Sequence, residues 1–420
     1  MQKTDDLTAS AAAPRPRKAT GLPAFAMRKL SDLLERAVAD SNVSCAVRFA
    51  NGELRRFGAG EPQFTVTFNS DKPLLRPFNE YTLGKAYVEG EIDLEGDMFA
   101  MQEARKLLAR RTQLGITLKF LADLLLKPAT WVNKKAITQH YTLGDDFYLT
   151  FIDTAYRFYS QCVFHNDDET LEAAATHKLE TMYEALQLKP GMRLLDIGAG
   201  WGGVHEYCGP RGIHVTSLTL TEDSYNYTRA LDQRMGLENC KVIVEDFLDH
   251  EPAEPYDAVV IYGVIEHIPY YRKFCARLAG CLKPGGSFYL DASAVIRKFD
   301  VSDFTRRYIW PGSHSFLCLQ DMIQELLYHG LDIVETKNET RDYGLTMKHW
   351  AERFEANKDK IVERWGQEIY RVFRMFMWTG CYGFFEDTMQ AYHIVARRRA
   401  DQGPRPGIRG RAGDFISSLR

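Results

Sequence analysis

The chain has 420 residues, 45% of them hydrophobic and 26% charged, with a formal net charge of −3. That length accommodates two domains, and the near-balance of charge excludes a general nucleic-acid binder. Its eight cysteines show no C-x-x-C spacing, which argues against a zinc site or a disulfide framework and for reduced thiols.

Residues 1–21 are polar and small, carry Arg15, Arg17 and Lys18, and lack the apolar segment of a secretory signal. They predict a disordered tail. Residues 22–108 read as a small α+β unit. Phe25 to Val38 has helical periodicity through Met27, Leu30, Leu33, Leu34 and Val38, and Ser44 to Phe49 and Phe64 to Phe68 follow as strands. Gly84, Gly90 and Gly96 punctuate the next stretch at turn-like intervals. From Gln102 to Ala136 the pattern is helical and connecting, with residues 109–139 as a linker. One side is cationic through Lys106, Arg110, Arg111, Lys119, Lys127, Lys134 and Lys135. It is either a solvated face or a surface that docks on anionic headgroups. The apolar run from Leu118 to Leu126 is broken by Lys119 and Asp123 and is too short to span a bilayer. The expectation is a cytoplasmic protein whose membrane contact is peripheral.

From Thr170 the pattern changes to alternation. A helix (Leu171 to Leu186) leads to the strand Met192 to Ile197, followed by strands His214 to Leu220, Lys241 to Val244, Tyr256 to Tyr262 and Ser287 to Ala292. Helices fall near Ser224 to Met235 and Tyr271 to Leu282, and Lys283-Pro284-Gly285-Gly286 reads as a tight reversal. Strands alternating with helices predict a doubly wound α/β sheet covered on both faces. A further helix spans about Ile369 to Thr379. Residues 140–396 form this second domain, and 397–420 read as a basic disordered tail.

The strongest motif is Leu194-Leu195-Asp196-Ile197-Gly198-Ala199-Gly200-Trp201-Gly202-Gly203. A buried strand runs into a glycine cluster that opens a helix, the place where an open α/β sheet holds a nucleotide-like ligand. Its G-x-G-x-G spacing differs from the dinucleotide fingerprint. Asp196 at the strand end suits a cationic sulfonium amino acid better than a pyrophosphate. Thr219 and Ser224 follow the second strand. Asp246 and Phe247 follow the third, where an acid beside an aromatic ring can hydrogen-bond and sandwich an adenine, or where Asp246 can cap a helix.

Several separated segments carry a wider resemblance. They are His140-Tyr141-Thr142-Leu143-Gly144-Asp145-Asp146, Phe158-Tyr159-Ser160, the glycine loop, Ile265-Glu266-His267-Ile268, Arg307 to Gly312 and Asp342-Tyr343-Gly344-Leu345-Thr346. In this order they resemble the cyclopropane-fatty-acid synthase family from about Leu83 to Arg398. The resemblance implies a class I methyltransferase sheet with a smaller N-terminal α+β domain that is lipid-associated. It implies S-adenosylmethionine as methyl donor, with Tyr141, Tyr159 and Ser160 at the donor, and the double bond of a phospholipid acyl chain as acceptor. It also implies homodimerisation through the N-terminal domain.

In that family the base is thought to be a bound bicarbonate held by a Cys, a Glu, a His, a backbone amide and a Tyr. Glu266 and Tyr343 match. Gln161 stands at the Cys position, with Cys162 one place late, and Asp291 replaces the His, with Ser293 following where the family has an apolar residue. A second carboxylate beside Glu266 is expected to repel bicarbonate. Asp291 and Glu266 then act as base and cation-stabilising charge or share a proton, or Asp291 is only a strand-end hydrogen bond. His267 either takes part or packs under its loop. Tyr308, Trp310 and the run Phe373, Phe376, Trp378, Tyr382, Phe384 and Phe385 either line an acyl tunnel or fill a core. Two other readings are a small-molecule N- or C-methyltransferase and a non-catalytic lipid-binding protein.

Overall fold

The computed structural model describes residues 21–39, 41–76, 80–108, 143–298, 301–302, 304–310 and 314–400. The sequence expectations for Tyr141, for residues 1–20 and 401–420 of the tails and for most of the cationic connector lie outside these residues. The chain divides into two compact units, residues 1–113 and 114–420.

In the first unit, helix α1 (Leu22–Val38) buries Met27, Leu30, Leu34 and Val38, as its periodicity predicts. Leu33, expected on that stripe, is 38% exposed instead. A four-stranded sheet follows in the order β2-β1-β3-β4. Its strands are β1 (Cys45–Arg48), β2 (Leu54–Phe57), β3 (Phe64–Phe68) and β4 (Ile92–Gly96). The central strands β1 and β3 are legible in the sequence; the edge strands β2 and β4 are not. Each edge strand buries only one side chain, so neither shows the alternation that marks a half-buried strand. The segment around Gly84 is helix α2 (Glu80–Val88), and α3 (Met98–Leu108) closes the described part of this unit.

The second unit is built on a seven-stranded sheet ordered β10-β11-β9-β8-β5-β6-β7. Helix α4 (Leu171–Ala185), N-capped by the Thr170 side chain, precedes β5 (Arg193–Ile197). Then come α5 (Gly203–Cys208), β6 (His214–Thr219), α6 (Glu222–Met235), β7 (Cys240–Val244), β8 (Tyr256–Tyr262), α7 (Tyr271–Cys281) and β9 (Leu282–Ala294). β5 pairs in parallel with both β6 and β8, so the chain winds outward in two directions from β5. The crevice at that switch point, beyond the carboxyl ends of the strands, is where such sheets bind ligands. Leu195, Val259, Ile261, Phe288 and Leu290 of the sheet join Phe274, Leu278, Met322 and Leu326 of the covering helices in one core. Burial on both faces explains the unbroken apolar run Ala258–Tyr262 of β8.

Two features differ from the sequence reading. Lys283-Pro284-Gly285-Gly286 is not a separate turn but a wide bulge within β9, where the pairing to β8 jumps from Tyr256–Leu282 to Ala258–Ser287. Arg397 and Arg398, expected in the basic tail, end strand β11 (Gln390–Arg398), the one strand that runs against its neighbours β9 and β10. Between β10 (Leu331–Asn338) and β11, helices α9 (Thr340–Ala356), α10 (Lys358–Trp365) and α11 (Gln367–Phe385) intervene. Helix α8 (Leu319–Tyr328) precedes β10. Among the described residues, no helix is long and apolar enough to cross a membrane.

Candidate active site

The glycine loop leaves β5 at the switch point and forms one wall of a cleft. That cleft is lined by Tyr159, Ser160, Asp196, Gly198, Ala199, Gly200, Trp201, Thr219, Ser224, Asp246, Phe247 and His267, all expected from the sequence. Gly198 has φ +105°, and a Cβ there would lie 2.5 Å from the Val264 side chain. Both facts require glycine. Gly198→Ala is expected to cost about 1–3 kcal/mol of stability and to weaken donor binding, read by denaturant unfolding and by calorimetric titration of S-adenosylmethionine. Gly202 has a different role from the one expected. It does not line the cleft but starts α5 in a left-handed conformation, and a Cβ would meet Leu231 of α6 at 2.5 Å.

The opposite wall is held by contacts that sequence reading missed. The buried Asp153 carboxylate accepts from the backbone N–H groups of Tyr156 (2.6 Å), Arg157 (2.9 Å) and Phe158 (2.7 Å). This pins the segment leading to Tyr159, whose ring stacks on Trp350 at 5.1 Å. Trp201 donates its indole N–H to Asp145 at 2.8 Å. Ser224 donates to the Gly200 carbonyl at 2.6 Å and so braces the loop. Asp246 both lines the cleft and accepts from Leu248 N–H at 2.9 Å, while Phe247 packs on Phe274 at 5.2 Å between ring centroids.

The chemistry of the lining selects its ligand. Among the described lining residues, Asp145, Asp196, Asp223, Glu245 and Asp246 face a single cation, Arg157, which is itself ion-paired to Glu206. Such a cleft disfavours phosphate and suits a ligand that carries positive charge and sugar hydroxyls, because carboxylates stabilise the first and accept from the second. S-adenosylmethionine has both.

Glu266 and His267 occupy one short turn (Ile265–His267) after β8. Glu266 is 4% exposed. Its Oε1 accepts from Ser293 N–H (3.1 Å) and from the Ser293 hydroxyl (2.8 Å), while its buried Oε2 has no hydrogen-bond partner among the described residues. Burial pushes its carboxyl up to about 7. His267 lines the cleft, and desolvation pulls its imidazole down to about 4, so it is neutral at physiological pH. Its ring touches an aromatic group: His314 lies 5.2 Å away and Trp310 6.4 Å, and Trp310 meets Phe376 at 5.2 Å. Ser315 N–H bonds the Glu266 carbonyl at 2.8 Å and ties this group to the Glu266 turn. Tyr343, near the start of α9, stacks on Phe384 at 4.4 Å. Burial, aided by the charge of Glu266, holds its phenol well above the ordinary range.

Of the later aromatics, Phe373, Tyr382 and Phe384 are core residues, 6% exposed or less, whereas Phe385 is 38% exposed. Trp378 donates to Glu355 at 3.1 Å, and Tyr308 lies against Phe304 at 5.0 Å. Trp310 and Phe376 are the two that reach the cleft wall through His267.

Asp291 sits elsewhere in the chemistry than the sequence suggested. Its carboxylate forms a fully buried ion pair with Lys178 of α4 and accepts from Gly263 N–H at 3.1 Å. Burial raises it to about 6, and the Lys178 ammonium works against that rise. Lys178 also donates to Ser160 Oγ (3.0 Å) and to the Gln161 carbonyl (2.7 Å), and lies 4.0 Å from the centre of the Tyr262 ring. Asp291 is thus compensated charge, and the expected repulsion of bicarbonate by an unpaired carboxylate loses its premise. Gln161 turns its amide to Glu339 at 2.9 Å, and Glu339 meets His393 at 2.6 Å. Lys178 was legible in one respect: it falls on the buried stripe Leu171, Ala174, Ala175, Lys178, Leu179 and Met182. A lysine on such a stripe needs a buried partner.

Away from the cleft, His165, Glu169 and His177 bring candidate metal-ligand atoms within 4.8 Å of one another. The Glu169 carboxylate there already accepts from His165 N–H and Asn166 Nδ2, both at 2.9 Å.

A sheet of this order with a glycine loop at its first strand and an acidic switch-point cleft is that of a class I S-adenosylmethionine-dependent methyltransferase. Comparison with known proteins narrows this class. The chain belongs to the mycolic acid cyclopropane synthetase family, whose pattern matches residues 130–394, while residues 30–109 match a domain of unknown function (DUF7884). It is 28% identical over 342 residues to the cyclopropane-fatty-acyl-phospholipid synthase of Escherichia coli, covering 77% of this chain and 84% of that one. It is 25% identical over 348 residues to the sphingolipid C9-methyltransferase of Komagataella phaffii, covering 78% and 71%. The solved cyclopropane synthase MmaA2 of Mycobacterium tuberculosis superposes with a TM-score of 0.60 at 22% identity, covering 65% of this chain and 99% of that one, which bears out the fold. The protein is therefore an S-adenosylmethionine-dependent methyltransferase of the lipid-modifying, cyclopropane-synthase type.

Proposed function

We propose that the enzyme methylates a double bond of an unsaturated fatty acyl chain, carried on a phospholipid, and that Glu266 is its base. The observation that carries this reading is Glu266 itself. It is a buried carboxylate with one oxygen fixed by Ser293 and the other without a partner among the described residues, in the same turn as His267 of the cleft wall. When bound, S-adenosylmethionine supplies an electrophilic methyl group. Asp145, Asp196 and Asp246, with the 198–201 loop, hold the donor, and the Tyr159–Ser160 segment closes beside it. An alkene is a weak nucleophile, so alignment in a water-poor site does much of the work. Methylation leaves a positive centre on the acyl chain. The Glu266 carboxylate and the ring faces of His267 and Trp310 stabilise it, and Glu266 then removes a proton.

The polar groups at the altered positions favour a protein base over bicarbonate. Gln161 donates its amide N–H to Glu339, and Asp291 is paired with the Lys178 ammonium rather than left as an ion ligand. The product expected is a methyl- or methylene-branched chain. With an acceptor inside the bilayer and no described helix able to span it, the enzyme works peripherally, on the cytoplasmic face.

The test is an assay of purified enzyme with methyl-labelled S-adenosylmethionine and vesicles of unsaturated or saturated phospholipid. Label should enter only the unsaturated acyl chains, at a rate unchanged by removing bicarbonate. A bicarbonate-dependent rate would show that Glu266 is not the base. Label appearing only in added small amines would replace the lipid acceptor altogether.

A further inference from the structure

A chain of polar groups runs from the cleft through the buried Ser217 and His205 to the part-exposed Asp232. Asp196 Oδ2 lies 2.6 Å from Ser217 Oγ, which lies 2.8 Å from His205 Nε2; His205 Nδ1 lies 2.8 Å from Asp232 Oδ1. Ser217 and His205 are fully buried, and Asp196 is 1% exposed at the cleft wall. β6 supplies Ser217, α5 His205, α6 Asp232 and β5 Asp196.

Counting donors shows what this chain can do. Asp232 accepts from Nδ1–H in either arrangement below. Ser217 has one hydroxyl proton, and both Asp196 and His205 Nε2 lie within its reach. If His205 is an imidazolium, Nε2–H donates to Ser217, and Ser217 donates to an ionised Asp196. If His205 is neutral with its proton on Nδ1, Ser217 donates to Nε2, and a protonated Asp196 donates to Ser217. The two arrangements contain the same number of protons and the same net charge, and both leave every contact made. They differ in one respect: the first places a full negative charge at the cleft wall and the second places none.

The nearby thiols and phenol hold their protons in both forms. Burial pushes Cys208 and Cys240 up to about 12 and Tyr262 well above its ordinary value. Burial likewise raises Asp196 to about 6, while Ser217 and His205 oppose the rise, so its neutral form is within reach.

We propose that His205, acting through Ser217, is a positioning residue that sets the charge of Asp196 according to the charge of the ligand in the cleft. The inference rests on donor binding in that cleft and is independent of the acceptor. The donor is a sulfonium cation, and the product left after transfer is a neutral thioether. With the cation present, the ionised Asp196 and the imidazolium are favoured. Once the cation is gone, the His205 Nε2–H bond breaks as a proton passes to Ser217 Oγ, and the Ser217 proton passes to Asp196 Oδ2. The wall thereby loses its charge without proton exchange with solvent. A wall that is charged only for the cation binds donor in preference to product, which limits product inhibition.

The experiment uses full-length enzyme with 15N-labelled histidine, bound either to S-adenosylmethionine without acceptor or to S-adenosylhomocysteine. His205 is assigned by its loss in His205→Gln. Its ring-nitrogen shifts should report an imidazolium with the first ligand and the neutral Nδ1–H tautomer with the second. Calorimetry on Ser217→Ala, checked for wild-type-like circular dichroism, should show S-adenosylmethionine weakened by about tenfold and S-adenosylhomocysteine within about twofold. One protonation state of His205 in both complexes, or equal weakening of both ligands, would overturn the relay. Failure of the wild-type enzyme to bind either ligand would instead overturn the donor assignment, and the relay with it.

Discussion

Glu266→Gln is expected to lower kcat by about 10²- to 10⁴-fold, the usual effect of removing a positioned base. Donor affinity should be nearly unchanged, because Glu266 is not among the residues that line the donor cleft. The wild-type rate should rise with pH through an apparent value near 7, set by burial of the Glu266 carboxyl, and the variant should lose that rise. Stability should move the other way. The folded protein holds the Glu266 proton up to about 7, against an ordinary 4.5 in the unfolded chain. The favourable contribution is therefore complete below about 4.5 and is lost as pH rises through about 7. A difference of this size corresponds to about 3 kcal/mol of buried-charge cost at high pH. A neutral glutamine amide escapes that cost, so the variant should be more stable than wild type at pH 8 and lose that margin toward pH 4. Urea unfolding at the two values checks this. A variant that loses activity and stability together at pH 8 would point to a structural role for Glu266.

Lys178→Met should be among the most destabilising single substitutions in the catalytic domain, at about 3–5 kcal/mol. The reason is what it leaves behind. Asp291 is 1% exposed, and Lys178 is its only cationic partner among the described contacts. The Ser160 hydroxyl and the Gln161 carbonyl would lose their shared donor as well, and with them the segment that closes the cleft. The double variant Lys178→Met/Asp291→Asn removes the orphaned charge and should recover much of the loss. Without Lys178 the Asp291 carboxyl rises further, so the deficit should shrink as pH falls and that group takes up a proton. Equal destabilisation of the single and double variants at every pH would mean that the ion pair is not what holds this region.

How much of this was legible in the sequence follows from where each signal lies. The glycine loop, Asp196 and the Glu266 turn are local motifs, each read within about ten residues, and the structure brings them to one edge of the sheet. Buried strands were legible because both faces are apolar. Edge strands β2 and β4 were not, since a strand with one buried side chain resembles a loop. The β10–β11 pair was invisible for another reason: helices α9 to α11 separate its strands, so no hairpin turn marks it. Asp291 was recognised as unusual, but its partner lies 113 positions away. Nothing near Asp291 announces that partner, so the sequence leaves the carboxylate between an acid–base group and a strand-end hydrogen bond, and the structure makes it half of an ion pair. Ser217 is similar. In a buried strand a serine looks like a neutral filler until His205 and Asp196 are seen on either side of it.

The most direct test of the account is mass spectrometry of lipids from cells that express the wild-type enzyme or Glu266→Gln and are fed methyl-labelled methionine. The account predicts labelled one-carbon gains on unsaturated phospholipid acyl chains with the wild type, fragmenting as branches, and none with the variant. An unlabelled lipid fraction, with the label in a polar metabolite, would contradict it.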